Sequence, residues 1–327
     1  MTRRKFGQRA AALLLICFVL CVEVMAAPTY LIPGGSTVGI KLYTEGLLVT
    51  AVEKNSPAAA AGIRKGDTIL YVNGHNKIDG DALRQEVQRG NGIVLTVSRG
   101  DGQAEFFLNP QQTADGWKLG LYLRDNVAGI GTVTYYDPLT GNYGALGHGV
   151  TDPGGTSLLR IRGGVLVPSS VAEVQKGKSG APGQLRGQFD VTQIFGCVRD
   201  NHDCGIFGYF DHAPGGEAMK VAAADEVHTG AAEIYANVSG TAVCAYTVEI
   251  ERIDPDASGG RNYFLRVTDE DLLRQTGGIV QGMSGSPIVQ DGKLVGAVTH
   301  VLVNDPTAGY GLFIGTMLAA EEKAAGD

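Results

Sequence analysis

Cysteine is scarce in this sequence, which has five cysteines among 327 residues. Two of them, Cys17 and Cys21, lie near the N-terminus, which leaves Cys197, Cys204 and Cys244. An odd number of cysteines does not predict a disulfide framework, although a Cys197–Cys204 bridge is conceivable. No paired Cys-x-x-Cys spacing occurs, so the sequence predicts no metal site.

An excess of positive charge is also missing. The chain has 27 Lys and Arg against 34 Asp and Glu, and its formal net charge is −7. This balance gives no reason to expect nucleic acid as a partner. Hydrophobic residues make up 44% and charged residues 19%, as in a soluble globular protein, and the length suggests about two domains.

Long hydrophobic runs are absent except near the N-terminus. A basic segment at residues 3–9 precedes an apolar run at residues 10–22, and small residues follow up to Ala27. This order is typical of a secretory signal peptide in residues 1–27. The run is short for a membrane span, so an uncleaved anchor is the less favoured interpretation. Membrane contact is therefore expected only through this N-terminal segment.

Glycine, by contrast, is abundant, with 48 residues. Such frequent turn signals predict many short strands and few helices, and hence a mainly β fold built from barrels or a sandwich. Two helical patterns stand out in the C-terminal two thirds of the chain, at about residues 216–224 and 269–275.

Residues 36–109 have the pattern of a compact module, followed by a polar linker at 109–117. Its motifs are Ser-Pro-Ala-Ala-Ala-Ala-Gly-Ile at 56–63, Lys-Gly-Asp-Thr-Ile at 65–69 and Val-Asn-Gly at 72–74. These motifs resemble those of a PDZ domain, which binds peptide C-termini by strand addition. The resemblance places the carboxylate-binding loop at Val38, Gly39 and Ile40, although a clear Gly-Leu-Gly-Phe sequence is missing there. A PDZ fold that only packs against its neighbour is the alternative.

A loop of small residues with a central serine, Ser284, lies between two short apolar runs. Glycine beside the serine lets backbone N–H groups turn toward a developing oxyanion, although a tight turn without chemistry uses the same residue types. Residues 282–287, Gly-Met-Ser-Gly-Ser-Pro, resemble the nucleophile loop of chymotrypsin-like serine proteases. The resemblance implies a double β-barrel, an oxyanion hole at Gly282 and Ser284, and a substrate cleft beside Thr299 and His300.

A serine nucleophile needs a base and a group that orients this base. Of the six histidines, His148 is favoured because Gly147 and Gly149 would let another segment approach its ring closely. The residues alone leave the acid open. The candidates are Asp137, Asp152, Asp254, Asp269, Asp271 and Asp305.

Longer motifs resemble the S55 family of serine peptidases of endospore-forming bacteria. They are Gly-His-Gly at 147–149 with Thr-Asp at 151–152, Val-Thr-Asp at 267–269, Thr-Gly-Gly-Ile-Val-Gln-Gly-Met-Ser-Gly-Ser-Pro at 276–287, and Ala-Val-Thr-His-Val with Asn-Asp-Pro-Thr at 297–307. The resemblance covers the N-terminal segment, the PDZ module and a peptidase domain at 118–318. It implies His148 as general base, Ser284 as nucleophile and Asp269 as the third member of the triad, without a cofactor.

The resemblance also implies a function. The protein is expected to be a secreted endopeptidase of sporulation signalling in the space between forespore and mother cell. There it would cleave the extracytoplasmic part of a membrane-bound regulator, which triggers intramembrane processing of a sigma factor precursor, and it would cleave itself. The alternatives are a general envelope quality-control PDZ protease, which usually places PDZ after the protease domain, and a non-enzymatic PDZ scaffold.

Overall fold

The computed structural model describes residues 29–76, 79–100, 102–152, 155, 157–211 and 215–326. The expected signal peptide or anchor at residues 1–27 lies outside these ranges. Within them, no helix is both long enough and apolar enough to cross a membrane.

Strands dominate the described part of the chain. In chain order they are β1 (Tyr30–Pro33), β2 (Thr37–Val52), β3 (Thr68–Val72), β4 (Ile93–Arg99), β5 (Gly102–Leu108), β6 (Gln111–Thr113), β7 (Gly116–Lys118), β8 (Leu121–Tyr136), β9 (Asn142–Ala145), β10 (Ile161–Gln175), β11 (Gln184–Phe189), β12 (Gly196–His202), β13 (Gly205–Phe210), β14 (Met219–Val221), β15 (Gly230–Ser239), β16 (Ala242–Ile253), β17 (Tyr263–Val267), β18 (Pro287–Gln290), β19 (Lys293–Leu302) and β20 (Asp305–Phe313). The helices are α1 (Pro57–Ala61), α2 (Gly80–Gln88), α3 (Glu270–Thr276) and α4 (Ile314–Gly326).

Six strands close a first barrel. They pair in the order β2, β8, β9, β13, β12 and β10, and β10 pairs again with β2. Alternate residues of each strand point inward, because successive side chains of a strand lie on opposite faces. Ile40, Leu42, Val133 and Leu166 are among the side chains that fill this barrel.

A second closed barrel follows in the chain. Its strands pair in the order β15, β16, β17, β20, β19 and β18, and β18 returns to β15. Ile234, Val248, Leu265, Ile288 and Val298 belong to its core. The mainly β fold with two barrels is therefore the architecture that the sequence predicted.

The PDZ module is inserted into the first barrel. β2 and β8 each run through both units, and their ladder extends from the Thr37–Thr132 pair in the barrel to the Val52–Leu121 pair in the module. All module elements from α1 to β7 lie between these two strands in sequence. The module has its own core, which includes Leu47, Ile69, Leu83 and Leu95.

This insertion corrects the predicted domain boundaries of 36–109 and 118–318. The first half of β2, at residues 37–43, is a strand of the peptidase barrel, and the first half of β8 belongs to the module. The apolar residues Val38, Ile40 and Leu42 alternate as in any half-buried strand. Periodicity predicts such a strand but not its pairing partners, so it could not distinguish the two units.

Of the two predicted helices, one is present. Residues 270–276 form α3, close to the expected 269–275. Residues 216–224 instead contain the short strand β14, which is followed by a 3₁₀ turn, Ala224–Glu226.

Candidate active site

Ser284 lies in a turn before β18, on the wall of a cavity of about 470 Å³. His148, Thr299 and His300 line the same cavity. The Ser284 hydroxyl donates a hydrogen bond to the Thr299 carbonyl at 2.9 Å. Gly282 also lines the cavity, so the structure brings five of the predicted peptidase-site residues to one place, with His148 from the first barrel and the others from the second.

The turn around Ser284 depends on the glycine that follows it. Gly285 has a φ of 95°, in the left-handed region. A Cβ atom there would lie 2.1 Å from the Thr132 carbonyl oxygen and 2.5 Å from the Leu146 nitrogen. Only glycine tolerates both the φ value and this close approach, so residue 285 lets the serine turn rest directly against the first barrel.

Thr132 of β8 ties the serine turn to the histidine segment. Its N–H donates to the Ser284 carbonyl at 3.1 Å, and its hydroxyl donates to the Gly282 carbonyl at 2.7 Å. Its own carbonyl accepts from the N–H of Leu146, two residues before His148, at 3.1 Å. Thr132 is 1% exposed. Sequence reasoning missed this residue, because a threonine in a strand carries no signal of such a role.

Two backbone donors near Ser284 have no acceptor. Among the described residues, neither the N–H of Gly282 nor that of Ser284 donates to a protein group, whereas the N–H of Met283 donates to the Val280 carbonyl and that of Gly285 to the Val298 carbonyl. Unpartnered N–H groups beside a nucleophile are what an oxyanion hole requires. The position of Gly282 and Ser284 therefore agrees with the predicted role, which stays a prediction.

His148 is held by its own neighbour. Its Nδ1 lies 2.9 Å from the Gly149 carbonyl oxygen. A carbonyl can only accept, so we assign the ring proton to Nδ1, which leaves the Nε2 lone pair available as a base. Burial lowers the pKa of His148 below its usual 6.5, and the hydrogen bond to Gly149 opposes this shift. At neutral pH the ring is uncharged, as a general base must be.

His300 lies next to this ring, with 5.4 Å between the two ring centroids. Burial lowers the pKa of His300 from 6.5 to about 4, and the charge that His148 carries when protonated and the charge of Arg261 act in the same direction. Two adjacent imidazoles thus stay uncharged at neutral pH. Thr299 is buried and donates its hydroxyl to the Gly260 carbonyl.

Asp269 is not brought to this cavity. It is the N-cap of α3, and its Oδ1 accepts the N–H of Leu272 at 2.9 Å. Its Oδ2 accepts the N–H of Thr247 at 3.3 Å. Within the described chain, no hydrogen bond or ion pair joins Asp269 to His148, and the orienting contact to the ring comes from Gly149 instead. This geometry departs from the triad that the family resemblance implies.

Three other candidate acids have partners away from His148. Asp137 accepts from the Leu139 N–H and the Thr140 hydroxyl. Asp271 pairs with Arg274, and Asp305 pairs with Arg266. None of these three therefore takes the place left by Asp269.

The predicted PDZ loop is misplaced. Val38, Gly39 and Ile40 lie inside the first barrel, where Gly39 pairs with Ile130 on one side and Val167 on the other. A strand with both edges paired cannot accept an added peptide. The prediction was wrong because it assumed that the strand before the Ser-Pro-Ala motif belongs to the module.

A better candidate for the carboxylate loop lies at the other end of the module. Residues 119–122 read Leu-Gly-Leu-Tyr, close to the pattern that residues 36–40 lack. Gly120 has a φ of 74°, and among the described residues the N–H groups of Leu119 and Gly120 have no acceptor. Within the described chain, residues 121–124 pair with β2 alone, and α2 contacts β8. These are the parts of a peptide groove.

The three cysteines outside the N-terminal segment are free, so the conceivable Cys197–Cys204 bridge is not formed. Cys204 is buried, and its Sγ lies 3.5 Å from the His202 Nδ1. Burial raises the pKa of this thiol to about 11, which keeps it protonated and unreactive.

Known proteins resemble parts of the chain. The Chlamydia trachomatis "Probable periplasmic serine endoprotease DegP-like" is 42% identical over 65 residues, which are 19% of this chain and 13% of that protein. The human "Serine protease HTRA3" is 34% identical over 68 residues, 21% of this chain and 15% of that protein. The matched segment thus spans only about one seventh of the length of each of these relatives.

Solved structures show weaker likeness. The inactive form of the Rv3671c protease is 18% identical with a TM-score of 0.36, over 61% of this chain and 85% of that one. The active form from M. tuberculosis is 17% identical with a TM-score of 0.34, over 61% and 75%. The double barrel is established by the strand pairings above.

Family models match both units. A PDZ domain matches residues 48–99, which lie within the inserted module. SpoIVB peptidase S55 matches residues 115–318, which include the first barrel from β8 onward and the whole second barrel. This second match covers more than half of the sequence, and the chain therefore belongs to the SpoIVB peptidase S55 family of serine peptidases.

Proposed function

We propose that this serine peptidase cleaves peptide bonds with Ser284 as nucleophile and His148 as general base. One observation carries the proposal: the two side chains, from different barrels, line one cavity together with Gly282, and among the described residues the N–H groups of Gly282 and Ser284 have no protein acceptor. The match to a serine peptidase family supports the same reaction.

The geometry supports a sequence of steps. The Ser284 hydroxyl leaves the Thr299 carbonyl and transfers its proton to the His148 Nε2 as it attacks the substrate carbonyl. The N–H groups of Gly282 and Ser284 receive the developing oxyanion, and each such donor contributes about 3 kcal/mol in comparable sites. His148 then protonates the leaving amine, and water hydrolyses the acyl-enzyme by the same steps.

The substrate would lie along β19. Residues 299–301 line the cavity, and within the described chain they pair with β20, through His300 and Tyr310. An extended peptide can add there as a further strand, since strand addition satisfies its backbone groups. Thr299 and His300 would then contact the residues next to the scissile bond.

Peptide C-termini would bind at the PDZ groove. The carboxylate would meet the N–H groups of Leu119 and Gly120, and the peptide would pair with residues 121–124 beside α2. The same strand, β8, continues to Gly129 and Ile130 at the wall of the catalytic cavity. The groove can thus recruit a protein to the strand that also borders the active site.

In this proposal the protein acts in sporulation signalling. It is secreted to the space between forespore and mother cell, cleaves the extracytoplasmic part of a membrane-bound regulator of sigma factor processing, and cleaves itself. Membership of the S55 family and the N-terminal apolar run support this role. A general envelope protease is the second candidate, favoured by the similarity to a periplasmic endoprotease.

Hydrolysis of fluorescently labelled casein by the full chain tests the reaction. We expect hydrolysis by the natural chain and no detectable hydrolysis by Ser284→Ala or His148→Ala. Ser286→Ala is the matched control, because Ser286 lies in the same turn but is fully buried. Activity that survives Ser284→Ala would refute the proposal. A second experiment separates sporulation signalling from general envelope proteolysis. If the protein acts in sporulation signalling, a sporulating strain with only the Ser284→Ala chain should fail to process the sigma factor precursor.

A further inference from the structure

The cavity beside the catalytic serine has a mainly apolar lining. The second barrel contributes Ile279 and Val280 before the serine turn, and Val301 and Val303 at and just after the end of β19. The first barrel adds Ile130 from β8. A cavity of about 470 Å³ with such walls favours an apolar side chain, because burial there removes apolar surface from water.

The lining also lacks charge. Among the described residues, no Asp, Glu, Lys or Arg lines the cavity. Its two histidines, His148 and His300, are uncharged at neutral pH because burial lowers the pKa of each. A charged side chain in this place would lose its water without gaining a partner of opposite charge, which is costly.

The wall that leads into the serine turn is fixed in place. The N–H of Gln281 donates to the Gly183 carbonyl at 2.9 Å, and the Gln281 carbonyl accepts the N–H of Leu185, at the start of β11, at 2.8 Å. Two residues earlier, Ile279 donates its N–H to the Pro306 carbonyl at 2.8 Å. The cavity is therefore formed before a substrate binds, and binding does not have to order its wall.

The cavity lies where the side chain before the cleaved bond must go. In a reactive complex the substrate carbonyl carbon lies about 3 Å from the Ser284 Oγ, and its oxygen points to the N–H groups of Gly282 and Ser284. The Cα atom of the same substrate residue is bonded directly to this carbon. Residues 279–282 precede the serine turn, and Thr299 accepts the Ser284 hydroxyl, so both of these cavity walls adjoin the position of that Cα atom.

We propose that this peptidase selects a large aliphatic or aromatic residue, such as Leu or Phe, on the N-terminal side of the bond that it cleaves, and that this side chain fills the apolar cavity. The inference rests on the proposed function and deepens it, because it names the substrate class. Val303 helps to determine this specificity. Its side chain lines the cavity but is 50% exposed, so a substitution there changes the cavity without disturbing the core.

Quenched fluorescent peptides that differ only in the residue before the cleaved bond test the preference with the full chain. Their common sequence is taken from a bond that the natural chain cleaves in casein. We expect kcat/KM for Leu and Phe to exceed that for Ala by at least about tenfold, because one methylene in an apolar pocket already gives about tenfold or more. Lys and Asp should be at least about 100-fold worse than Leu. Cleavage after Lys or Asp as fast as after Leu would overturn the inference.

A charge on the cavity wall provides a second test. Val303→Asp places a carboxylate beside the bound side chain, so it should raise kcat/KM for the Lys peptide relative to the Leu peptide by at least about tenfold. Val191→Asp is the matched control, since Val191 is 73% exposed and does not line the cavity, and it should leave this ratio unchanged. An unchanged ratio in a folded Val303→Asp chain would overturn the placement of the side chain. The peptide series remains decisive if Val303→Asp does not fold.

The same peptides distinguish failure of this inference from failure of the proposed function. Ser284→Ala must lose hydrolysis of every peptide. Hydrolysis that survives in Ser284→Ala, or a natural chain that does not cleave casein, would refute the proposed function and with it this inference. Hydrolysis that is lost in Ser284→Ala but prefers Lys or Asp in the natural chain would refute the substrate class alone.

Discussion

At the scale of single residues, sequence reasoning located side chains with distinctive chemistry. Ser284 and His148 stood out because each is flanked by glycine and suits a catalytic role, and the structure places both at one cavity. The Gly149 carbonyl and the hydroxyl of Thr132 could not be predicted in this way. Backbone groups are the same at every position, and which carbonyl a threonine reaches depends on strands far apart in sequence.

The pH dependence of hydrolysis follows from His148. Because burial lowers its pKa below 6.5, the ring loses its proton at a lower pH than a free histidine does. Activity should therefore be complete at pH 7 and fall as the pH drops through a value below 6.5, where the base becomes protonated. Initial rates of casein hydrolysis between pH 4 and pH 8 check this. An acid limb centred at pH 7 or above would contradict it.

Thr132 offers a second test at this scale. Thr132→Val keeps the shape of the side chain but leaves the buried Gly282 carbonyl without its donor, at a cost of about 1–3 kcal/mol. Since that carbonyl belongs to the serine turn, hydrolysis should fall at least about tenfold. Thr132→Ser restores the hydroxyl and should restore most of the rate. Equal rates for the Val and Ser variants would mean that the bond is irrelevant to catalysis.

At the scale of elements, local signals predicted what local interactions determine. Residues 269–275, for example, predicted a helix where the structure has α3. The alternation of Val38, Ile40 and Leu42 also predicted a strand, but not the partners of that strand. Pairing depends on residues that are distant in the chain, such as Gly131 and Val167, and no pattern within a strand encodes them.

The serine turn should tolerate no side chain at residue 285. Gly285→Ala would push a Cβ atom to within 2.1 Å of the Thr132 carbonyl oxygen at a φ of 95°. We expect a loss of about 2–3 kcal/mol in the free energy of unfolding, together with loss of hydrolysis. Gly292→Ala is the control, since its φ is also positive but no atom lies within 4 Å. Urea unfolding should show a smaller loss for the control, and equal losses would exclude the clash as the cause.

At the scale of the whole molecule, the main surprise is the inserted module. Sequence motifs identified the PDZ domain correctly, because its signature lies in one continuous segment. They missed the insertion, since the strand that completes the module comes from β8, after the segment that carries the motifs. The result is one continuous pair of strands that borders both the peptide groove and the catalytic cavity.

The insertion predicts which fragment folds by itself. Residues 46–124 contain all strands of the module and its core, whereas residues 36–109 contain a barrel strand and lack Leu121 and Leu123. The first fragment should give a dispersed NMR spectrum and a cooperative melting transition, and the second should give neither. If the fragment 36–109 folded and the fragment 46–124 did not, the assignment of residues 121–124 to the PDZ module would be wrong.

The central claim is that His148 activates Ser284, and a fluorophosphonate probe tests it most directly. The full chain would be labelled near neutral pH, and the modified residue would be located by mass spectrometry. We predict label on Ser284 in the natural chain and in Ser286→Ala, and none in Ser284→Ala or His148→Ala. A folded natural chain without label on Ser284, or label that persists in His148→Ala, would contradict the claim.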